Sequence, residues 1–268
     1  KNARDTVRAG FTTVRDVGVY RGFADVALRD AINAGYVPGP RMFVAGAYIT
    51  VPGGGGEITG LPPGTVVPDV FRRGVSRGVD DVRRHVDIVL DGGADLIKVI
   101  ATGAVLTAGT EPGESEYTEA EIHAAVAEAA KRGAFVAAHA HGAEGIKRAI
   151  RAGVRSVEHA SLIDDEGIAL AKQHGTWLVM DIYDGDYIDS VGRAAGWSAE
   201  ILRKNEQDIR RRNLFFPQVL RDARRIGEYY PGLSPSSPEC MDKLGLSLAH
   251  LESKCTNIYD SEEVERVY

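Results

Sequence analysis

Three histidines stand where imidazole side chains could share one metal ion. His139 and His141 lie in the segment AAHAHG, and His159 lies in the next apolar segment, SVEHAS. Alternate residues of a strand share a face, so His139 and His141 are expected to point to the same side. Imidazole nitrogen is a preferred ligand of zinc and related divalent metals. A purely structural role explains one such histidine well, but it explains three at neighbouring strand ends poorly.

Lys98 lies one strand earlier, inside the apolar run LIKVIATG. A lysine within an apolar strand is costly to bury unless it is paired or used chemically. Three uses compete: a Schiff-base nucleophile, a salt bridge to an inward carboxylate, or a metal ligand after carboxylation of the amine. Taken alone, Lys98 favours the salt bridge. With histidines on the next two strands, the carbamate, which offers two oxygens to a metal, becomes the favoured interpretation.

The segments that carry these side chains belong to a regular alternation of strand and helix patterns. Six β-rich segments are predicted as strands: Phe11–Gly18, Arg41–Ile49, Ala94–Thr102, Ala134–His141, Val154–Ser161 and Thr176–Tyr183. The predicted helices include Asn2–Ala9, Phe23–Ala34, Gly78–Asp91, a helix that Thr118 and Glu121 begin with a capping box, and the long amphipathic helix Ala199–Arg225. Such alternation predicts βαβ units and a parallel sheet with right-handed crossovers.

An α/β fold of the TIM-barrel type, (β/α)8, is favoured by this pattern. Six strands form most of such a barrel, although they would also suit a doubly wound sheet. In a barrel the C-terminal ends of the strands form the active-site face. The sequence therefore predicts that Lys98, His139 and His159 form part of one divalent-metal site at the ends of three consecutive strands.

At this point the chain resembles a known family. GFTTVRDVG, GPRMFVAGAYIT, GADLIKVIATGAVL, FVAAHAHGAEGIKRAIRAGVRSVEHAS and WLVMDIY occur in this order in the amidohydrolase superfamily. The chain is most similar to its imidazolonepropionase-related branch of Xaa-Pro dipeptidases (prolidases) and lysine/arginine carboxypeptidases, over about residues 2–227. The resemblance implies two divalent metal ions per site, or one in this chain, with Zn²⁺ as the favoured metal.

The same resemblance assigns roles to the candidate residues. It implies that Lys98 carries a CO₂-derived carbamate that bridges the ions, and that His139 and His159 bind the second ion. His141 would then act on the substrate side of the site and bind the substrate α-carboxylate. Tyr183 would line the same pocket, and the loop GGGGE after Ile49 is expected to lie over the site, with a simple flexible turn as the alternative.

Two motifs of the family are absent from the sequence: an HxH motif on the first barrel strand and an aspartate on the eighth. We therefore expect an incomplete barrel of about six βα units over residues 1–227, followed by a divergent, loop-rich and helical segment over residues 228–268. The opening residues read as the middle of a helix, so an incomplete N-terminus is expected. Exposed strand edges in such a barrel invite pairing, which predicts a homo-oligomer.

The function expected from these features is metal-dependent hydrolysis of a peptide or N-acyl amide bond in a small molecule, a dipeptide or an N-acyl amino acid. Two alternatives stay open: an impaired fragment that keeps a partial metal site as a binding or structural protein, and a Schiff-base lyase that uses Lys98. The net charge of −6 gives no electrostatic case for nucleic acid or an anionic membrane. No apolar run approaches the ~20 residues that span a bilayer, and a cytoplasmic location is expected.

Overall fold

The computed structural model of the chain describes residues 1–180 and 184–209. Tyr183, residues 210–225 of the last predicted helix and the segment 228–268 lie outside this part. Its strands are β1 (Thr13–Asp16), β2 (Arg41–Val44), β3 (Tyr48–Ile49), β4 (Ile97–Ile100), β5 (Val136–Gly142), β6 (Ser156–Leu162) and β7 (Trp177–Val179). Its α-helices are α1 (Asn2–Arg8), α2 (Ala24–Asn33), α3 (Val79–Asp91), α4 (Glu119–Lys131), α5 (Ala143–Arg151), α6 (Asp165–His174), α7 (Asp184–Ala195) and α8 (199–209).

All strand pairs in this part of the chain are parallel. β1 pairs with β2, and β3, β4, β5, β6 and β7 form a second sheet in sequence order. From β4 onward, a helix leads from each strand to the next. The predicted α/β fold is confirmed: the described residues form part of a TIM-barrel-like (β/α) architecture. No helix within residues 1–180 and 184–209 is both long and apolar enough to cross a bilayer.

The prediction of one continuous strand over Arg41–Ile49 is wrong. The backbone turns at Gly46, which has a φ of +70°, a conformation that glycine adopts without strain. The buried carboxylate of Asp25 holds this turn by accepting the backbone N–H of Gly46 at 2.8 Å. The turn separates β2 from β3, and β3 then pairs with β4 so that Tyr48 lies beside Lys98.

Residues of β4, β5 and β6 alternate between two faces. One set is apolar and packs against the helices in the main hydrophobic core, and it comprises Ile97, Val99, Val136, Ala138, Ala140 and Val157. The opposite set points into the barrel, where Lys98, Ile100 and His139 line a cavity. The parallel register places Lys98 beside Ala137 and Ile100 beside His139. The polar side chains Lys98 and His139 therefore belong to the inward set of these strands.

An ion pair joins the two sheets across the barrel. Arg15 of β1 donates to the hydroxyl of Ser156 at 2.9 Å and to the carboxylate of Glu158 at 2.8 Å, both on β6. The side chain of Glu158 is only 6% exposed, so its charge requires a partner. These contacts link residues that are 141 and 143 positions apart in the sequence and bring β1 close to the first half of β6.

The predicted capping box at the start of α4 is confirmed. The N–H of Glu121 donates to the hydroxyl of Thr118 at 3.3 Å, and the Glu121 carboxylate accepts the Thr118 N–H at 2.9 Å. The same carboxylate accepts the N–H of Gly78 at 2.7 Å, which ties α4 to the start of α3. Burial alone would raise the pKa of Glu121, but these hydrogen bonds outweigh it and lower that pKa.

Helix α7 is not predicted by the sequence. Its segment contains Gly185 and Gly192, which lower helix propensity. At Gly192 a Cβ atom would lie 2.8 Å from the ring of Trp197, so the glycine permits close packing of the turn that follows α7. The helix predicted to begin at residue 199 is confirmed as far as residue 209.

Replacement of Thr118 by alanine tests the capping box. We expect Thr118→Ala to lower the free energy of unfolding by about 1 kcal/mol, because the Glu121 N–H loses its acceptor. Urea denaturation followed by circular dichroism measures the change. Thr6→Ala is the control, since the Thr6 hydroxyl is exposed on α1 and donates only to the carbonyl of Asn2. Equal losses in the two variants would contradict a capping role for Thr118.

Candidate metal centre

The three histidines singled out in the sequence meet at the C-terminal ends of β5 and β6. The ring centroids of His139 and His141 are 4.7 Å apart, and those of His139 and His159 are 4.6 Å apart. The rings of His141 and His159 stack at 4.7 Å with an interplanar angle of 14°. One nitrogen from each ring lies within 4.8 Å of the others, which is close enough for a single metal ion to be shared.

A β-bulge brings His159 into this group. By the alternation of β6, His159 belongs to the face of Val157, which packs against the helices. The backbone at His159 and Ala160 instead takes φ values of +73° and +51°, which residues other than glycine seldom adopt. The register between β5 and β6 shifts at the same point, so that β6 carries an extra residue. This irregularity turns the imidazole of His159 toward the barrel interior.

The hydrogen bond of His139 identifies the nitrogen that it can offer to a metal. Its Nε2 lies 3.1 Å from the carbonyl of Gly103, and because a carbonyl only accepts, Nε2 carries the proton. Nδ1 is then the nitrogen with the lone pair. Burial lowers the pKa of His139 well below its usual value, and the electrostatic effect of the neighbouring bases His159, His141 and Lys98 lowers it further. His139 is therefore neutral, the form that binds metals.

The ring of His141 makes its contacts with neighbouring residues through Nδ1. Its Nδ1 lies 2.9 Å from the hydroxyl of Ser161 and 3.2 Å from a carboxylate oxygen of Asp208. Its backbone N–H donates to the hydroxyl of Thr102 at 3.1 Å, which fixes the end of β5 against β4. The side chain of His141 is 5% exposed. Residues that do not belong to the histidine group therefore surround the ring of His141 and hold it in place.

Lys98 lies deeper in the barrel than the histidines. It is 1% exposed, on the inward face of β4, and it lines the same cavity as His139 and His159. The cavity has a volume of about 220 Å³. The rings of Tyr20 and Tyr48 form part of its wall and meet edge to face with centroids 5.4 Å apart. Its apolar lining includes Val105, Leu106 and Ile188.

The glycine-rich loop after β3 contributes backbone to this cavity. Gly55 and Gly56 line it, as the sequence predicts for this loop. The loop is held from behind, because the N–H of Gly55 donates to both carboxylate oxygens of Glu116, at 2.8 and 3.0 Å. Burial raises the pKa of Glu116 to about 7, although this hydrogen bond and the charge of Arg77 act in the opposite direction.

Helix α8 closes one side of the cavity with polar residues that the sequence analysis did not identify. Its inward stripe consists of Ile201, Lys204, Asn205 and Asp208, which have the i, i+3, i+4, i+7 spacing of a buried face. Asn205 and Asp208 line the cavity. Lys204, Asn205 and Asp208 occupy positions of this stripe that normally carry apolar side chains. This pattern was the signal in the sequence that the three residues do more than pack.

Lys204 anchors α8 to the loop that follows β4. Its side chain is fully buried, and its ammonium group donates to the carbonyls of Thr107 and Thr110 at 2.7 and 2.9 Å. It also lies 3.1 Å from the carboxylate of Glu200. The helix that carries Asp208 is therefore held in a defined position over the site.

Comparisons with known proteins agree with this fold and site. The sequence profile of the amidohydrolase family matches residues 1–224. An ochratoxinase from Aspergillus niger is 35% identical over 187 residues, which cover 65% of this chain and 38% of the ochratoxinase. A Xaa-Pro dipeptidase solved with methionine in its active site is 37% identical, with a TM-score of 0.72, over 81% of this chain and 53% of that one. A prolidase complexed with N-methylphosphonate-L-proline is 32% identical, also with a TM-score of 0.72, over 80% of this chain and 53% of that one. This chain thus spans about half the length of these solved structures, and less of the ochratoxinase.

The raised pKa of Glu116 predicts a pH dependence of stability. The folded state holds the proton more tightly than the unfolded chain, whose glutamate titrates near 4.5. The free energy of unfolding should therefore fall as pH rises from about 4.5 to about 7. We expect Glu116→Gln to remove this part of the slope, as measured by urea denaturation at several pH values. Glu114→Gln, an exposed position in the same loop, is the control, and an unchanged slope in Glu116→Gln would contradict the assignment.

Replacement of Lys204 by methionine tests the anchoring of α8. Lys204→Met leaves the carbonyls of Thr107 and Thr110 without this donor, at a cost of about 1–3 kcal/mol for each buried group left unsatisfied. We expect faster amide hydrogen exchange in α8 and in the loop 103–110, measured by mass spectrometry. Arg83→Met removes an exposed ion pair with Asp80 and should change stability by less than about 1 kcal/mol. If amide hydrogens in these segments of Lys204→Met exchange at the wild-type rate, the anchoring role of Lys204 is contradicted.

Proposed function

This chain belongs to the amidohydrolase family, and from that premise we propose that it hydrolyses peptide or N-acyl amide bonds with a metal-activated water. The observation that carries the proposal is the meeting of His139, His141 and His159 in one cavity with Lys98. Imidazoles that converge at the C-terminal ends of parallel strands, in a cavity large enough for a small molecule, suit metal-assisted hydrolysis.

The donor set fits a divalent ion, and we propose zinc bound by Lys98, His139 and His159. Imidazole nitrogens this close together are typical zinc ligands. Lys98 would take part as a carbamate formed with CO₂, because an ammonium group has no lone pair to donate. A bound ion would supply a water of lowered pKa and would polarise the scissile carbonyl.

The remaining groups of the site would hold and orient the substrate. His141 presents its ring beside His159 and would bind the substrate α-carboxylate, and Tyr183 is proposed to line the same pocket. Tyr20 and Tyr48 supply an aromatic wall against which an apolar side chain could pack. A burial-lowered pKa keeps His139 neutral, and its hydrogen bond to Gly103 keeps the ring from rotating.

The proposed substrate is a dipeptide or an N-acyl amino acid. Support comes from the relatives, since two solved neighbours are a Xaa-Pro dipeptidase and a prolidase. A third relative is named an ochratoxinase, so the relatives of this chain are not all dipeptidases or prolidases. Because this chain spans about half the length of the solved neighbours, the activity is proposed for the chain and for any longer protein that contains it.

Substitution of a proposed ligand tests metal binding and turnover together. We expect His139→Gln to weaken zinc binding by at least about 100-fold, since loss of a ligand exceeds the effect of losing its outer partner. Competition with a chromophoric chelator measures the affinity, and release of amino acid from Xaa-Pro dipeptides and N-acyl-phenylalanine measures hydrolysis. His174→Gln, on the exposed side of α6, is the control and should match the wild type.

Two results would contradict the proposal. Zinc affinity that is the same in the wild type and in His139→Gln would exclude the histidine group as the metal site. Zinc bound at this group without hydrolysis of any substrate in the panel would reduce the chain to a metal-binding protein. Trapping of Lys98 by borohydride with a carbonyl substrate would instead indicate Schiff-base chemistry.

A further inference from the structure

We propose that Tyr20, Tyr48 and Leu106 form a subsite for an apolar acyl group, so that the preferred substrate is an N-acyl amino acid without a free ammonium group. The inference rests on the proposed function, in which His141 binds the substrate α-carboxylate. It chooses between a dipeptide and an N-acyl amino acid, and it concerns the apolar part of the cavity.

The order of the strands places this apolar part on the far side of β4 from the histidines. Tyr48 on β3 lies beside Lys98 on β4, and Ile100 of β4 lies beside His139 on β5. Neighbouring strands are about 4.8 Å apart, so β3 and β5 are about 10 Å apart. A dipeptide backbone spans about 7 Å. A substrate that has its α-carboxylate at His141 and its scissile bond over Lys98 therefore brings its acyl group to the side of Tyr48.

The aromatic wall of the subsite is formed by a close approach of the loop after β1 to β3. Gly18 in this loop has a φ of +109°, and a Cβ atom there would lie 2.7 Å from the ring of Tyr48. Glycine adopts this conformation without strain and leaves room for the ring. Tyr20 then meets Tyr48 edge to face, with centroids 5.4 Å apart, as stable aromatic pairs do. The two rings therefore hold each other in a fixed position.

This side of the cavity carries no charge that would hold an ammonium group. The lining residues that the structure describes here are all uncharged: Val17, Tyr20, Tyr48, Ala104, Val105, Leu106 and Ile188. Burial raises the pKa of the Tyr48 hydroxyl, which therefore stays neutral. Asp16 on β1 accepts the N–H of Gly18 at 3.0 Å and does not line the cavity. The ammonium group of a dipeptide would lose water here without gaining a counter-charge, whereas a neutral acyl group would not.

The rim of the subsite is apolar as well. Leu106 lines the cavity and is 48% exposed, and Tyr20 is 41% exposed. The loop that carries Leu106 is fixed, because the Thr107 hydroxyl donates to the carbonyl of Gly55 at 2.6 Å and Lys204 donates to the carbonyl of Thr107 at 2.7 Å. Apolar side chains exposed at a cavity mouth are stabilised when a ligand covers them. An acyl group that is longer than acetyl would therefore gain burial as far as the rim.

Matched ligands test the subsite by binding alone. 3-Phenylpropanoyl-L-proline differs from L-phenylalanyl-L-proline only in lacking the ammonium group, and N-acetyl-L-proline lacks the phenyl ring. Metal is removed with a chelator so that no hydrolysis interferes. By titration calorimetry we expect the phenylpropanoyl compound to have a Kd about 10-fold or more below those of the other two. Failure of this compound to bind, equal Kd values for the three ligands, or tighter binding of the dipeptide would each overturn the proposal.

A charge introduced at the rim gives the converse test. Leu106→Asp places a carboxylate where the subsite has none. We expect it to shift the ratio of the two Kd values toward phenylalanyl-proline by about 10-fold, because the ammonium group gains a charged partner. Leu61→Asp is the matched control, since Leu61 is 42% exposed and does not line the cavity. An unchanged ratio in Leu106→Asp, or an equal shift in Leu61→Asp, would contradict the subsite.

Tyr20→Ala is a second variant that adds no charge. It removes one ring of the wall, so the Kd of phenylpropanoyl-proline should rise toward that of N-acetyl-L-proline, whose own Kd should hardly change. Tyr36→Ala is the control, because Tyr36 is 84% exposed and lies away from the cavity lining. Wild-type affinity of Tyr20→Ala for the phenylpropanoyl compound would overturn the role of the wall. Circular dichroism spectra and melting temperatures check that each variant is folded.

Hydrolysis by the zinc-loaded chain separates this proposal from the proposed function. In an active chain, kcat/KM should follow the same order as the affinities. If the chain hydrolyses none of the three compounds, their hydrolysis as the proposed function fails, whereas the Kd values still decide whether the subsite exists. Faster hydrolysis of phenylalanyl-proline than of phenylpropanoyl-proline would overturn the subsite and leave the proposed function intact.

Discussion

Parallel strands that are covered by helices on one face can place chemical groups only on the other. In β4, β5 and β6 the helix-facing residues are uniformly apolar and form the main core. The inward residues are free of that requirement and include Lys98, His139, Ser156 and Glu158. The division follows from the two-residue repeat of a strand, and the position of each inward group follows from the register between strands. The site is therefore a consequence of how the sheet is covered.

His159 is the exception to this division, and its inward position requires a strained backbone. A regular β6 would carry its imidazole into the helix-facing core, where it would have neither a metal nor water. The left-handed backbone at His159 and Ala160, together with the bulge, moves the ring to the inner side. Non-glycine residues in this conformation cost about 1–2 kcal/mol each, and such strain tends to occur where function requires it.

Charges within the barrel are held by partners from distant parts of the chain. Arg15 crosses from β1 to Glu158 on β6, and Asp208 reaches His141 from α8. Lys204 is fully buried and binds two backbone carbonyls. Each contact offsets the free-energy cost of removing a charged group from water. The polar interior thus depends on the closure of the elements around it, and loss of one partner would leave another charge unpaired.

The sequence by itself determined the alternation of strands and helices, the fold class and the four residues Lys98, His139, His141 and His159. These features are local, because they depend on apolar periodicity, capping residues and the types of side chain near strand ends. Only the tertiary structure decided the break at Gly46, the bulge that turns His159 inward and the arrival of Asp208. Each depends on a contact between segments far apart in the chain: the Asp25 carboxylate at Gly46, the register of β5 against β6, and the packing of α8 over the strand ends. The apolar repeat of a strand (two residues) or of a helix (3.6 residues) depends only on neighbouring positions, so it does not predict such contacts.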